Sequence, residues 1–407
     1  MIKWSLLIDK LIWFFILLLF CSFYIFNSNT YSRFILLGIT VIIGGLLLVK
    51  YNGRIPLYWH SFHSMVYLFV AFCLFSYMWS IDPVGPLLNA FIIGQIFICM
   101  SVLYIYFVNF KTTEPLLNII AWGGYLTALY SIFYYGPSNI RYILLSAGRL
   151  TNAFTNVNSL GMLMAISAII SGYQILFNKF QLKHLLVIPT IMVLAAAGSR
   201  TGLLAFLIGI ILIVLIKFSK RNWVLSLFQY ISVGIVTFLI LKILLGTVIF
   251  EGINGRVETL FNLFRGNGEI DGSTMTRHWM IRIGWQQFLD TPFLGIGIGS
   301  SGLLLLRTMG WETYLHNNYI EMLACGGLVG TVLYYSLFIL PAVRLFKQRS
   351  VHFSETYLCL ILIFIMLLMD FGTVSYYVKS TYFYLMLFFV QVEINKRYLK
   401  EQQNGKI

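Results

Sequence analysis

Long apolar runs separated by a few charged or turn residues recur along the whole chain. Twelve such runs lie near 11–28, 34–49, 64–80, 87–109, 116–135, 158–177, 184–197, 202–217, 223–249, 318–340, 356–370 and 375–394. A helix needs about 20 mostly apolar residues to cross the hydrocarbon core, and backbone polar groups inside lipid must be satisfied within the segment. The pattern therefore predicts an all-α polytopic membrane protein with about twelve transmembrane helices, residues 1–407 forming a single integral membrane domain. One segment, 251–316, between the ninth and tenth spans, is too long for a turn and is expected to be an extracytoplasmic loop carrying short helices. Within it, Thr274 to Leu289 reads as a helix, capped by Asp271 or Ser273 and stopped by Asp290-Thr291-Pro292. Its Trp279, Ile283, Trp285 and Phe288 do not share one face, which predicts packing on the bundle or a place at the membrane interface. Only the polar tail 401–407 is expected to be loose.

Composition agrees with the pattern and removes other classes. Of 407 residues 59% are hydrophobic and 10% charged, against about 25% charged in globular chains. An ordinary soluble enzyme is excluded, and the spans leave no room for a separate catalytic domain. An aromatic content of 17% excludes a disordered chain. Cys21, Cys73, Cys99, Cys325 and Cys359 all sit in apolar runs, are odd in number and form no C-x-x-C pair, so neither a disulfide framework nor a zinc site is indicated. Lys3 and Lys10 precede a first run, Leu11 to Phe26, that lacks a small-x-small cleavage site and reads as a retained span.

The net charge of +14 would suggest a nucleic-acid partner on a soluble chain. Here basic residues that gather in cytoplasmic loops account for most of it, and no nucleic acid is expected. An even number of spans puts both termini on one side. That side carries seventeen Lys and Arg residues, twelve of them lysine, and is expected to be the cytoplasm of a bacterial inner membrane. The opposite side carries nine, Arg33, Arg141, Arg149, Arg200, Arg256, Arg265, Arg277, Arg282 and Arg307, and all are arginine. Lys242 and Lys379 fall inside predicted spans. Topology alone does not separate lysine from arginine. A guanidinium is a planar fork that grips phosphate in two places and keeps its charge when partly desolvated, so the outer set points to an anionic, phosphate-bearing ligand, with anchoring to lipid head groups as the plainer alternative.

Four constellations carry candidate chemistry. Gly198-Ser199-Arg200-Thr201-Gly202 joins two apolar runs and sets Arg200 at the mouth of a tight hairpin, where a cation should meet water or an anion. Leu315 to Glu321 places His316, Asn317, Asn318 and Glu321 at the entrance of the tenth span, which suggests a water-filled recess. His316 is the candidate base for a sugar hydroxyl, and Asn317 and Glu321 would share one helix face; helix capping is the alternative for the His-Asn-Asn run. Arg149 to Asn158 offers amide side chains to sugar hydroxyls, with Asn158 equally suited to cap the sixth span. Gly297 to Gly302 matches G-x-G-x-x-G but follows no βαβ unit, so a flexible hinge or a backbone anion nest is the better reading.

No H-E-x-x-H, P-loop, G-x-S-x-G or outward D-x-D occurs, so arginine is expected to do the work of a cation, with neither metal nor cofactor. These pieces in this order resemble the O-antigen polymerase and O-antigen ligase superfamily, over about residues 149–340. The resemblance implies a twelve-span glycosyltransferase, active at the outer leaflet and metal-independent, that uses an undecaprenyl-diphosphate-linked glycan as donor. It implies Arg200 and Arg277 as diphosphate clamps, Arg282 as a less certain neighbour, and His316 as the base for the acceptor hydroxyl. Attack at the anomeric carbon would expel the lipid diphosphate, and with no candidate nucleophile for a covalent intermediate the expected course is inversion. The acceptor is read as a second lipid-linked repeat unit, which makes the protein a polymerase working beside a flippase and a chain-length regulator. Transfer to lipid A core, as a ligase, is the alternative, and a lipid-linked oligosaccharide flippase is the alternative from another class.

Overall fold

The computed structural model describes residues 2–26, 31–56, 58–146, 148–151, 155–218 and 272–405. The predicted span 223–249 with Lys242, the loop residues 251–271 with Arg256, Arg265 and Asp271, and Lys220, Arg221 and Lys406 lie outside the described residues.

The described chain is all-α. The helices are α1 (Ile2–Ile25), α2 (Tyr31–Lys50), α3 (Ser61–Phe75), α4 (Val84–Phe107), α5 (Glu114–Tyr135), α6 (Pro137–Leu145), α7 (Val157–Phe177), α8 (Val187–Ala197), α9 (Arg200–Phe218), α10 (Gly272–Asp290), α11 (Ser301–Met309), α12 (Asn318–Lys347), α13 (Phe353–Met369) and α14 (Lys379–Gln403). Eleven of the twelve predicted runs coincide with one of them. Among the described residues, eight helices are long and apolar enough to cross a membrane: α1, α2, α3 with its 3-10 extension to Trp79, α4, α5, α7, α9 and α12. Residues 182–197 and 353–369 form shorter apolar helices.

Apolar side chains cover much of the outside, as a lipid solvent allows; Phe133 is 85% exposed and Val41 74%. The polar side chains go inward. Helix α14 is buried from Ser380 to Asn395 and takes polar residues that a lipid-facing helix would not. Gln391 accepts from Thr113 at 2.5 Å and donates to Asn395, which donates to Thr356. Because this central helix is shielded by its neighbours, hydropathy ends it early; it runs on to Gln403, through the first part of the tail expected to be loose. Lys379, expected inside a span, is instead the first residue of α14 and donates to Ser32 at the start of α2.

The two ends of the bundle differ in charge. At one end Lys50 pairs with Asp9, Arg344 bonds Ser61, Lys183 bonds Asn118, and Lys396 pairs with Glu393. The other end gathers the first turns of α7, α9, α12 and α14, and there the described loop cations other than Lys379 are arginines.

Candidate functional site

The site is built at that second end, beginning with the α8–α9 hairpin. Gly198 caps α8 in the left-handed region at φ 59°, and the chain re-enters a helix at Arg200. Arg149 braces the turn: its Nε donates to the Ala197 carbonyl at 3.1 Å, and its Nη2 donates to Asn158 Oδ1 at 2.6 Å. Helices α7 and α9 cross at bare backbone. A Cβ on Gly202 would sit 3.0 Å from the Gly161 carbonyl oxygen, and one on Gly161 would sit 2.6 Å from Ser199 Cβ. That crossing sets half-buried Arg200 beside the first turn of α7, while Thr201 packs against Gly372 in the loop before α14. The residue capping α7 is Asn156, not Asn158: its Oδ1 accepts from the amides of Asn158 and Ser159 at 2.9 and 3.4 Å.

Helix α10 reproduces the expected helix, and its packing decides which arginine turns inward. Starting at Gly272, it places Ser273 inside its first turn. It docks through Gly284, where a Cβ would lie 2.5 Å from Ile320 Cγ2 and 2.8 Å from Leu315 Cδ1. Met280 is buried with Leu305, Leu315 and Ala324. Arg277 is seven residues before Gly284, two turns away on the same face. Arg282 is not on that face; it is exposed and lies over Trp279, 5.7 Å from the ring. Trp279, Trp285 and Leu289 point outward, so the scattered apolar pattern reflects one face on the bundle and another at the surface.

The chain before α12 brings His316 to this face. His316 has φ 56°, a left-handed backbone that few non-glycine residues adopt. Its ring lies 4.1 Å from that of Tyr314, and its Nδ1 is buried without a hydrogen-bond partner among the described residues. Burial first, and then the positive charge of Arg277, push its pKa down to about 4, so the imidazole is neutral and a proton acceptor near pH 7. Burial raises the Tyr314 phenol, whose hydroxyl bonds the side chain of Asn156 and feels Arg277. Asn156, Tyr314, His316 and Arg277 are therefore contiguous, and Arg149 joins the hairpin bearing Arg200 to the same first turn of α7 through Ala197 and Asn158.

The polar residues after His316 build the site rather than line a recess. Asn317 is 7% exposed and caps α12 by accepting from the Ile320 amide at 3.1 Å. Glu321 is 1% exposed; its carboxylate accepts from Ser301 Oγ and from the Leu315 amide, tying α11 to the strand of chain that carries His316. Asn318 is fully buried and spends its whole amide. Its Nδ2 donates to the Tyr335 hydroxyl and Asp370 Oδ2 at 2.9 and 3.1 Å, and its Oδ1 accepts from the amides of Ser375 and Tyr376. The physical reason is common to all three. A helix entrance surrounded by protein must satisfy its polar groups internally, and of the set only His316 keeps a buried ring nitrogen without a hydrogen-bond partner among the described residues.

Nor is the glycine string a hinge or an anion nest. Helix α12 is broken at Gly327, with φ 60° and ψ −163°, and the segment 292–297 lies in the break. Ile296 and Gly297 amides donate to the carbonyls of Ala324 and Cys325, and the Leu328 and Val329 amides donate to Pro292 and Phe293. The Ile298 amide goes to Ser76 Oγ. A Cβ on Gly295 would fall 2.5 Å from the Cys325 carbonyl carbon, so the glycine is demanded by backbone meeting backbone.

Sequence reasoning missed Tyr314, Asp370 and the capping role of Asn156, and it set Asn318 at a wet entrance rather than in a buried hub. An acid closing an apolar run, as Asp370 does, was the one available signal. Among known proteins, a family model described as O-antigen ligase matches residues 185–335, which takes in Arg200, Arg277, Tyr314, His316 and Glu321 and leaves out Arg149, Asn156 and Asn158. No curated protein matches the chain.

Proposed function

We propose that this multi-pass membrane protein, whose residues 185–335 fall in the O-antigen polymerase and ligase superfamily, is a polysaccharide polymerase acting on lipid-diphosphate-linked glycans. The observation that carries the reading is Arg277 beside a neutral, half-buried His316, at the end of the bundle away from the lysines.

In the proposed reaction the hydroxyl of a lipid-linked repeat unit attacks the anomeric carbon of a glycan carried on undecaprenyl diphosphate. His316 takes the hydroxyl proton, the bond from the anomeric carbon to the diphosphate oxygen breaks, and the configuration inverts. Arg200 and Arg277 hold the departing diphosphate, whose charge grows as the bond breaks, so they bind the transition state more tightly than the donor. Once the diphosphate offsets the charge of Arg277, His316 becomes a better base than it is in the free protein. Arg149 and Asn158 act by bracing the hairpin that carries Arg200, Asn317 and Glu321 by fixing the chain around His316, and Arg282 belongs to the outer rim. The reaction end faces the outside of the bacterial inner membrane, both termini the cytoplasm, with a flippase supplying the lipid-linked units and a separate regulator setting chain length.

A second reading, transfer of the finished glycan to lipid A core, is favoured by the description of the matching family as O-antigen ligase. Cells carrying His316→Ala separate the two. As a polymerase, the variant inserts normally and accumulates single lipid-linked units; as a ligase, it accumulates long glycan still on undecaprenyl diphosphate. Unchanged glycan length and attachment would remove His316 from the mechanism, and movement of lipid-linked units without any new linkage would favour a flippase.

A further inference from the structure

A polar cavity lies at the opposite end of the bundle from His316. It encloses about 230 Å³ between the chain before α3, the residues just after α4 and the C-terminal part of α14. Tyr58, His60, Asn109, Lys396, Arg397 and Lys400 line it, together with the single carboxylate of Glu393.

Three cations against one carboxylate leave an excess of positive charge. Glu393 is already shared by Lys396 at 3.5 Å and His60 Nε2 at 3.8 Å. Arg397 and Lys400 have no acidic partner among the described residues. Basic residues at this end of a membrane protein ordinarily hang in solvent, whereas Arg397 is half-buried and pinned by its Nη2 to the Phe110 carbonyl at 2.7 Å. Its Nε and the Nδ1 of His60 are both buried without a hydrogen-bond partner among the described residues. The wall is equally fixed. The rings of Tyr58 and His60 stack at 5.7 Å and 9°, and the Tyr58 hydroxyl donates to Asn109, which in turn donates to Tyr51 and to the Ile105 carbonyl. A fixed guanidinium with a spare donor, two mobile ammonium groups at the rim and a rigid aromatic side make an anion cradle.

We infer that this cavity binds a phosphate-bearing anion, with Arg397 as the fixed contact and Lys396 and Lys400 closing over it. The phosphate can belong to an acidic phospholipid head group or be free in solution, and the shared chemistry is a phosphate anion, a diester in the lipid and the free ion in solution. The proposal is independent of the reaction assigned to His316, since no residue is common to the two places.

The test uses the full-length protein in neutral detergent and follows thermal unfolding by tryptophan fluorescence. Inorganic phosphate, short-chain phosphatidylglycerol and short-chain phosphatidylcholine are titrated separately. The protein is compared with a Lys396→Gln/Lys400→Gln variant and with a reference variant, Lys10→Gln/Lys179→Gln, changed at the same end outside the cavity. The expected result is saturable stabilisation by phosphate, phosphatidylglycerol or both, at least about tenfold weaker in the cavity variant and unaltered in the reference variant. Response to phosphatidylglycerol alone assigns the anion to lipid, and response to phosphate alone assigns it to solution. No saturable response, an equal response to phosphatidylcholine, or an equal loss in the reference variant would overturn the proposal.

Discussion

Asn318 offers the sharpest test of how the site is held. Replacing it with alanine removes four hydrogen bonds from a fully buried position. The amides of Ser375 and Tyr376 lose their acceptor, and each stranded buried donor costs about 1–3 kcal/mol, giving about 2–6 kcal/mol for the pair. Hydrogen bonds inside bilayers average nearer 0.6 kcal/mol because the unfolded chain finds other partners, which places the expectation toward the lower end, about 2–3 kcal/mol. Tyr335→Phe loses only its hydroxyl bonds to Asn318 and Asp370 at 2.9 and 3.1 Å and should cost about 1 kcal/mol. Both are measured by SDS titration in mixed micelles, following tryptophan fluorescence. Activity should fall with Asn318→Ala as well, because the loop it ties touches Thr201, next to Arg200. An unfolding free energy within 0.5 kcal/mol of the parent, for Asn318→Ala, would refute the account of the buried hub.

Arg200→Lys keeps the charge but loses the fork; the loss of a charge-assisted bond predicts about a 10- to 100-fold fall in turnover at unchanged abundance, read by release of lipid diphosphate. The acid limb of kcat/KM should lie near pH 4, because in the free protein burial and Arg277 hold His316 at about 4 and protonation below that removes the acceptor. The acid limb of kcat should lie higher, since bound diphosphate offsets Arg277; coincident limbs in the two profiles would contradict the charge argument. Gly295→Ala should cost more than about 2 kcal/mol through clash with fixed backbone at φ 64°, whereas Gly310→Ala, left-handed at φ 87° but with no atom within 4 Å of the new Cβ, should cost only about 1 kcal/mol. Equal losses in SDS titration would remove the close packing of segment 292–297 from the explanation.

Periodicity and punctuation carried much of the fold. The helix from Gly272 to Asp290 was legible because Asp290-Thr291-Pro292 stops it, and the spans were legible because lipid demands long apolar runs. The division of lysine from arginine foretold two chemically different ends. What stayed hidden depends on partners distant in sequence. Gly161 and Gly202 meet because two helices cross there, and Asn318 and Asp370 meet across fifty-two positions. A single sequence shows that Glu321 is polar near an entrance; it does not show that Ser301 and the Leu315 amide consume its oxygens. Asn158 was read as a possible cap where Asn156 is the cap, because residue type alone does not fix where the first helical turn begins. The glycine string misled for a related reason: glycine reports close approach or positive φ, and here the approaching group is the broken backbone of α12 itself.

The central claim is that arginines at the outer end hold a departing lipid diphosphate while His316 deprotonates the incoming hydroxyl. Its most direct measurement supplies the purified, reconstituted protein with undecaprenyl-diphosphate-linked repeat units and nothing else, and counts glycosidic linkages against free undecaprenyl diphosphate. The account predicts one diphosphate released per linkage formed, with the rate reduced about 10²- to 10⁴-fold in His316→Ala. Linkages formed at the parental rate by His316→Ala, or no lipid diphosphate released by the parent protein with either repeat units or lipid A core as acceptor, would contradict it.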